Sequence, residues 1–228
     1  MPLVRNRSAG ALPAMDRRAG LASLGSPDGC TAESPHVGEV ERVMSKPLLY
    51  LDVDGVLNPW RAKPEKRPAG YETHRLTPAA WLAEYPSPPR RVKPLRVWLN
   101  PEHGPKLLAL GEVFDLWWAT TWEHDANTQI GPLIGLPELP VVEWRSTKRF
   151  GPDGVFWKTA ELVEHAAGRP FVWVDDDITV RDRRYVEQHH PALALLHYVD
   201  PAKGLLDDDF DTLQAWGACQ FGVAGSAA

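Results

Sequence analysis

Five short apolar runs constrain the fold of this chain more than any other feature of its sequence. They lie at residues 48–54, 114–121, 140–144, 171–177 and 193–200. Because the runs are apolar on both faces, they are typical of strands in a parallel sheet that helices cover on both sides. The segments with helical spacing between them are residues 101–112, 127–136 and 155–168. This alternation predicts an α/β fold with a doubly wound, Rossmann-like parallel sheet.

Composition divides the chain into a tail, a folded domain and a short end segment. Residues 1–45 are rich in Ala, Gly, Ser, Pro and Arg and hold few large apolar groups, so we expect them to be disordered. Met44 directly precedes the first apolar run, and one hypothesis is that the natural protein starts there. We expect the folded domain to span residues 46–218 and residues 219–228 to be frayed.

Residues 60–100 fit the alternation poorly, because they are crowded with Pro, Arg and Lys. We interpret them as a small basic cap insertion after the first strand, with one hairpin that pairs residues 71–78 with residues 94–101. Residues 60–96 hold nine Lys or Arg against three Glu, a net charge of +6, while the rest of the chain carries −11. This charge either forms a solvated surface or, through residues such as Arg90, Arg91 and Lys93, guides a polyanion.

Net charge, cysteine content and hydropathy exclude several classes of protein. The formal charge of −5 gives no reason to expect nucleic acid or membrane as the general partner. The two cysteines, Cys30 and Cys219, lack the spacing of a zinc site, and a cytoplasmic location is expected. No stretch approaches the roughly 18 to 20 apolar residues of a membrane-spanning helix. The oligomeric state is left open.

Acidic and polar side chains follow the predicted strands at their carboxyl ends. They are Asp52 and Asp54 after the first run, Thr120 and Thr121 in the second, Asp175, Asp176 and Asp177 in the fourth, and Lys158 at the start of the helix before the fourth. Ligands of open α/β sheets bind outside the carboxyl ends of the strands. We therefore expect these side chains to share one site.

The chemistry of these side chains suits phosphoryl transfer. Carboxylates brought together repel one another, and an all-oxygen set selects a hard cation such as Mg²⁺. One aspartate can then attack a phosphoryl group while a second, two residues later, protonates the leaving oxygen. Thr120 can hydrogen-bond a phosphoryl oxygen, Lys158 can neutralise charge on the nucleophile, and Gly55 allows a tight turn beside the phosphate.

In chain order, LDVDGVLN, LWWATT, Lys158 and VWVDDD resemble the four motifs of the haloacid dehalogenase (HAD) superfamily. The resemblance covers residues 47–216. More narrowly, DVDGVLN, WATTW and the short insertion are similar to the HAD-type domains associated with Swiss-army-knife RNA repair proteins. The resemblance implies a HAD-like fold and a phosphatase that hydrolyses phosphoric monoesters.

The resemblance also implies a role for each aspartate. Asp52 would be the nucleophile that forms an aspartyl-phosphate, and Asp54 the general acid and then the base for the hydrolytic water. Mg²⁺ would be held by Asp52, the backbone carbonyl of Asp54 and Asp175. Asp176 would be a further acidic ligand or a supporting group.

Neighbouring residues leave part of this assignment open. The sequence leaves open whether the site threonine is Thr120 or Thr121. It also leaves open whether the second aspartate of the DD motif is Asp176 or Asp177. In isolation, an aspartate at a strand end is often only a turn residue, a helix cap or part of a calcium loop. Lys158 alone would be interpreted as a solvated helix lysine.

Three residues near the motifs also have two interpretations each. Trp60 and Trp122 follow motif ends and either line the pocket or pack as core residues. His124 either touches the substrate or is solvated in a loop.

Three functions fit the whole set of residues. The main hypothesis is a Mg²⁺-dependent phosphohydrolase that acts through an aspartyl-phosphate on a small molecule or a nucleic-acid end. The first alternative is a phosphatase dedicated to nucleic-acid ends, as in RNA repair. The second is a module that binds phosphoryl groups without catalysis, although such a module has no need of the acid at Asp54.

Overall fold

The computed structural model of the chain describes residues 45–83, 92–145 and 154–221. Its strands are β1 (Leu48–Leu51), β2 (Glu72–Leu76), β3 (Leu95–Leu99), β4 (Asp115–Trp118), β5 (Phe171–Asp175) and β6 (Ala194–Tyr198). Its α-helices are α1 (Ala79–Ala83), α2 (His103–Leu110), α3 (Gly131–Ile134), α4 (Trp157–Ala166), α5 (Val180–His189) and α6 (Asp207–Phe221). A 3₁₀ turn lies at Pro64–Lys66, and a π-helical turn at Ala126–Ile130 leads into α3. Apart from Ser45, the predicted disordered tail lies outside the described residues.

Four strands form a parallel sheet in the order β4-β1-β5-β6. Strand β1 lies between β4 and β5, so that Leu51 is level with Trp118 on one side and with Val174 on the other. Helices cover both faces of this sheet, which confirms the predicted doubly wound α/β fold. Because the strands are parallel, all four carboxyl ends lie at one edge.

Alternate side chains of β1 enter two separate cores. Leu49 and Leu51 pack with residues of α2 and α6 on one face of the sheet. Leu48 and Tyr50 pack with residues of α4 and α5 on the other face. All four side chains are buried, and this double burial is the reason that the strand is apolar at every position.

The predicted strand at residues 140–144 is wrong. The segment makes one isolated bridge, between Val141 and Trp118, instead of a strand pairing. The backbone N–H of Trp118 donates to the carbonyl of Pro140 (2.9 Å), and that of Val142 donates to the carbonyl of Trp118 (2.8 Å). Pro140 has no N–H to extend the ladder. Val142 is nevertheless buried, so the apolar run reflects burial beside β4 and not strand formation.

The insertion after β1 contains the predicted hairpin. Strands β2 and β3 pair antiparallel, with Glu72 opposite Leu99 and Leu76 opposite Leu95, which confirms the expected pairing. A small core of three residues lies against the hairpin, formed by Ala62, Tyr71 and Trp98.

The described part of the insertion is strongly basic. Residues 60–83 and 92–96 hold seven Lys or Arg against two Glu, a net charge of +5. Lys63, Lys66 and Lys93 are all exposed. Arg90 and Arg91 lie outside the described residues.

Helices α5 and α6 have no counterpart among the predicted elements. The sequence of α5, VRDRRYVEQH, consists mostly of charged and polar residues with three apolar side chains, so no apolar run marks the helix. Its start is fixed by a capping box, in which Thr179 accepts a hydrogen bond from the backbone N–H of Arg181 and Asp182 accepts one from that of Thr179. Helix α6 continues past residue 218, the expected end of the folded domain, to Phe221. Among the described helices, none combines the length and the apolar content needed to cross a membrane.

Candidate active site

Strands β1 and β5 place two aspartates side by side at the carboxyl edge of the sheet. Asp52 directly follows β1, and its backbone N–H donates to the carbonyl of Val174 in β5 (3.1 Å). Asp175 is the last residue of β5. The two aspartates are only 7% and 0% exposed, so the pairing of neighbouring strands brings two buried acidic groups together.

Lys158, in the first turn of α4, bridges these two carboxylates. Its Nζ donates to Oδ2 of Asp52 (2.8 Å) and to Oδ2 of Asp175 (2.7 Å), and the residue is 1% exposed. Burial alone would lower the pKa of Lys158, but Asp175 and Asp52 outweigh burial and raise that pKa above its ordinary value. The ammonium is therefore a fixed positive charge beside Asp52.

Asp176 adds a third carboxylate to this group. One oxygen from each of Asp52, Asp175 and Asp176 lies within 4.8 Å of the others. Burial, together with the neighbouring carboxylates, raises the pKa of Asp176 to about 7. Burial also raises the pKa of Asp175 to about 6, against the opposing effect of Lys158. The carboxylates are therefore close enough to repel one another, and this repulsion contributes to the raised pKa values.

A divalent cation fits this group in distance, charge and chemistry. Ligand oxygens that share one Mg²⁺ or Ca²⁺ lie within about 4 to 5 Å of one another. Three carboxylates and the ammonium of Lys158 leave a formal charge of −2, and all three acidic donors are hard oxygens. The group formed by Asp52, Asp175 and Asp176 can therefore hold a metal ion.

Asp177 occupies a different place from its neighbour. Its side chain is exposed, and its backbone N–H donates to Oδ1 of Asp175 (2.9 Å). Trp173 also donates to Asp175, from Nε1 to Oδ2 (3.2 Å). Of the two aspartates that the sequence left open, the structure thus brings Asp176 into the carboxylate group and leaves Asp177 outside it.

The carboxylate of Asp54 is held by two donors of its own. Asn58 Nδ2 donates to Oδ1 (2.7 Å), and Trp122 Nε1 donates to Oδ2 (2.9 Å). Both donors belong to buried residues, whereas Asp54 is half-buried. Trp122 therefore contacts a predicted site residue as well as the core. The carboxylate of Asp54 lies outside the three-carboxylate group. The group of Asp54 that would bind the metal is therefore its backbone carbonyl, as the resemblance implies.

Thr120 and Thr121 differ in burial. Thr120 is completely buried, and its Oγ1 accepts a hydrogen bond from the backbone N–H of Trp122 (3.3 Å), whereas Thr121 is half-buried. Thr120 is thus part of the turn that positions Trp122 beside Asp54. His124 has a 71% exposed side chain with Nε2 3.9 Å from Glu143, which fits the solvated alternative.

The turn after β1 requires glycine at position 55. Gly55 has a φ of +83°, a conformation that other residues rarely adopt. A Cβ at this position would lie 2.2 Å from Cγ of Asp176. The absence of a side chain therefore allows Asp176 to approach the first strand.

In a comparison with known families, residues 48–210 match the HAD domain in Swiss Army Knife RNA repair proteins. The match runs from β1 into α6 and includes every site residue described above. The chain belongs to this family. Neither a curated protein nor a solved structure matches the chain. Membership in the HAD family supports a hydrolase of the phosphatase type, and the parallel sheet agrees with the Rossmann-like fold of HAD domains.

Two residues of this HAD site have no counterpart among the sequence predictions. The first is Asn58, whose only sequence signal is its place four residues after Asp54. The second is Asp182, which is completely buried and accepts hydrogen bonds from the backbone N–H of Phe156 (2.7 Å) and from Oγ1 of Thr159 (2.6 Å). Asp182 thereby joins the start of α5 to the turn of α4 that carries Lys158. The capping-box spacing from Thr179 to Asp182 is the sequence signal from which Asp182 could have been predicted to start a helix.

Proposed function

We propose that this HAD domain is a Mg²⁺-dependent phosphohydrolase that acts on phosphomonoesters through an aspartyl-phosphate on Asp52. One observation carries the proposal. Asp52 is a buried carboxylate at a strand end, hydrogen-bonded to the ammonium of Lys158 and grouped with Asp175 and Asp176. A nucleophile needs such a fixed positive charge beside it when it approaches an anionic phosphate.

The metal site in this proposal consists of oxygen donors alone. The side chains of Asp52, Asp175 and Asp176 and the backbone carbonyl of Asp54 would hold the ion. Hard oxygen ligands without any nitrogen or sulfur donor favour Mg²⁺ over softer metals. When bound, Mg²⁺ supplies positive charge that offsets the charge of the phosphoryl oxygens.

In the first step, a carboxylate oxygen of Asp52 attacks phosphorus. The new bond joins Asp52 to phosphorus, and the bond from phosphorus to the leaving oxygen breaks. Asp54 gives its proton to that oxygen, so the leaving group departs as an alcohol. Lys158 offsets negative charge on the carboxylates during the attack, and Thr120 donates a hydrogen bond to a phosphoryl oxygen.

In the second step, Asp54 acts in the opposite direction. It is now ionised and takes a proton from a water molecule, whose oxygen attacks phosphorus. The bond between phosphorus and Asp52 breaks, inorganic phosphate leaves, and Asp54 again carries a proton. Asn58 and Trp122 hold the carboxylate of Asp54 through both steps.

The proposal is tested by phosphate release from a panel of sugar phosphates, nucleotides and terminally phosphorylated oligonucleotides. Turnover should vanish with EDTA and return with Mg²⁺, and Asp52→Asn should abolish it while the melting temperature stays close to that of the wild type. Asp211→Asn, which changes an exposed aspartate of α6, is the matched control and should retain full activity. A folded protein that hydrolyses no member of the panel would instead support a non-catalytic module that binds phosphoryl groups.

The basic insertion favours a second, narrower candidate, a phosphatase for nucleic-acid ends. Its described part carries a net charge of +5, and the family is named for RNA repair proteins. If the insertion contacts a polyanion, changing the exposed Lys63 and Lys66 to Ser should raise KM for a phosphorylated oligonucleotide and reduce the salt dependence of kcat/KM. A small phosphate ester and an Arg184→Ser variant serve as controls. If the lysine substitutions changed kcat/KM equally for the oligonucleotide and the small phosphate ester, a small metabolite would be favoured as the substrate.

A further inference from the structure

Trp60 lies at the edge of the carboxylate group, and about half of its surface is exposed to water. Its Nε1 donates to Oδ2 of Asp176 (3.3 Å), and the residue is 47% exposed. A single exposed tryptophan on a protein surface needs no explanation. Trp60 differs because its ring touches one of the acidic residues where the phosphate and the metal would bind.

The backbone around Trp60 is held on both sides. The N–H of Trp60 donates to the carbonyl of Asn58 (2.7 Å), and that of Ala62 donates to the carbonyl of Pro59 (3.0 Å). The N–H of Arg61 donates to the carbonyl of Pro201 (3.0 Å), in the loop after β6. The indole ring therefore projects from an ordered turn, and little conformational entropy is lost when a ligand packs against it.

Arg61 adds a positive charge to the same position. Its guanidinium carbon lies 4.9 Å from the centre of the Trp60 ring. An aromatic surface and a guanidinium thus lie together beside the acidic site, a combination that binds nucleobases and phosphates.

We propose that Trp60 is a stacking surface for the nucleobase next to the phosphate that is removed, and that Arg61 binds an adjacent phosphate of the same strand. The inference rests on the proposed phosphatase function and narrows its substrate to a nucleic-acid end. A sugar phosphate has no π-face to place on the indole ring, whereas every nucleobase has one. Lys63, Lys66 and Arg67, which follow Arg61 in the chain, are exposed, and their positive charges can attract the further phosphates of a strand.

The plainer interpretation is that Trp60 only donates a hydrogen bond to Asp176. Two substitutions separate these roles. Trp60→Phe keeps a flat aromatic ring but loses the N–H, and Trp60→Leu loses both. Stacking requires that the two variants differ, and a hydrogen-bonding role requires that they behave alike.

The experiment measures binding in the full chain that carries Asp52→Asn, so that no turnover occurs, in the presence of Mg²⁺. Two short oligonucleotides are compared, identical except that the nucleotide with the terminal phosphate either has its base or is abasic, and the phosphate is tested at each end. We expect the base to improve affinity about ten-fold, the scale of stacking on an aromatic side chain. This ratio should collapse towards one in Trp60→Leu and persist in Trp60→Phe. Leu193→Ser, an exposed change before β6 at the opposite edge of the sheet, should leave the ratio intact.

Each outcome decides between the possibilities. Three results overturn the inference. The affinity ratio between the two oligonucleotides is near one in the parent protein, or it is unchanged in Trp60→Leu, or neither oligonucleotide binds. A ratio that depends on Trp60, in a protein whose unmutated form releases no phosphate, supports the base site and rejects the phosphatase. A mononucleotide bound as tightly as the oligonucleotide identifies a free nucleotide as the source of the base and contradicts the nucleic-acid end.

Discussion

Asn58 connects the carboxylate of Asp54 to the basic insertion. Its Nδ2 donates to Oδ1 of Asp54 (2.7 Å), and its own Oδ1 accepts a hydrogen bond from the backbone N–H of Trp98 in β3 (3.0 Å). One buried side chain thus contacts both the proposed general acid and the hairpin. The position of the hairpin and the orientation of Asp54 are therefore physically linked.

This link predicts that Asn58 positions Asp54. Asn58→Asp keeps an acceptor for Trp98 but replaces the donor with a like charge, and we expect kcat to fall by about 10- to 100-fold, the usual effect of losing an orienting partner. The loss should be larger for an alkyl phosphate than for p-nitrophenyl phosphate, whose leaving group needs little protonation. Asp54→Asn should show the same contrast more strongly. Equal losses on both substrates would assign Asn58 a structural role.

Gly55→Ala should weaken metal binding. The new Cβ would lie 2.2 Å from Cγ of Asp176 and would displace that carboxylate. We expect the Mg²⁺ concentration for half-maximal activity to rise by about ten-fold or more. Gly135→Ala is the matched control, since Gly135 has a similar φ of +78° but nothing within 4 Å of the added Cβ. The control should lose some stability and retain wild-type Mg²⁺ dependence, and a Gly55→Ala enzyme with the same dependence would contradict the prediction.

Removal of the ammonium of Lys158 should destabilise the fold as well as stop turnover. Lys158→Met leaves the buried carboxylates of Asp52 and Asp175 without their partner, which costs about 3 to 5 kcal/mol in the free energy of unfolding. Adding Asp175→Asn should recover part of this loss, because it removes one of the repelling charges. Urea denaturation measures both effects. Lys106→Met, which breaks an exposed ion pair with Asp207, should change stability too little to measure.

Asp182→Ala should impair catalysis from outside the site. The buried carboxylate accepts hydrogen bonds from Phe156, Thr159 and Thr179, and its loss leaves these donors unpaired. We expect a lower melting temperature together with a lower kcat, because the first turn of α4 that carries Lys158 loses its attachment to α5. Asp182→Asn keeps one acceptor oxygen, so its melting temperature and its kcat should both fall less than those of the alanine variant. Full activity of the alanine variant at a temperature where it is folded would show that Lys158 is positioned independently.

The buried His103 should make the fold sensitive to acid. Burial, reinforced by the nearby Lys106, lowers the pKa of His103 from 6.5 to about 4. Below pH 6.5 the unfolded chain therefore binds a proton at His103 that the folded protein excludes, and the contribution of His103 to the free energy of unfolding falls as the pH drops from about 6.5 to about 4. At pH 5 the loss amounts to about 2 kcal/mol.

His103→Phe tests this directly, because the variant cannot titrate at this position. On acidification from pH 7 to pH 5, the free energy of unfolding measured by urea denaturation should fall by about 2 kcal/mol less in the variant than in the wild type. Other groups also contribute to the pH dependence. Burial lowers the pKa values of His165 and His190, which adds to the loss in acid, whereas the raised pKa values of Asp175 and Asp176 oppose it. The same pH difference in both proteins would assign the acid sensitivity to other groups.

Much of the fold and the proposed chemistry could be predicted from the sequence because the signals are local. A strand buried on both faces is apolar at each position, and a polar residue at its end is visible as a break in that run. Asp52, Asp175 and the start of α4 at Lys158 could thus be assigned to one edge before any distance was known. The same local signal failed at residues 140–144, where burial beside β4 produced an apolar run without a strand.

Only the tertiary structure decided which neighbouring groups meet. Asp54 and Trp122 are 68 residues apart, and Trp60 and Asp176 are 116 apart, so no local pattern connects them. Asp176 and Asp177 are equivalent in sequence, and they differ only because Asp176 lies beside Gly55 in the folded chain. The sequence by itself determined the four strands of the parallel sheet, the acidic ends of β1 and β5, and the resemblance to the family. Long-range packing decided the contacts, since each contact depends on segments that approach one another only when the sheet is assembled.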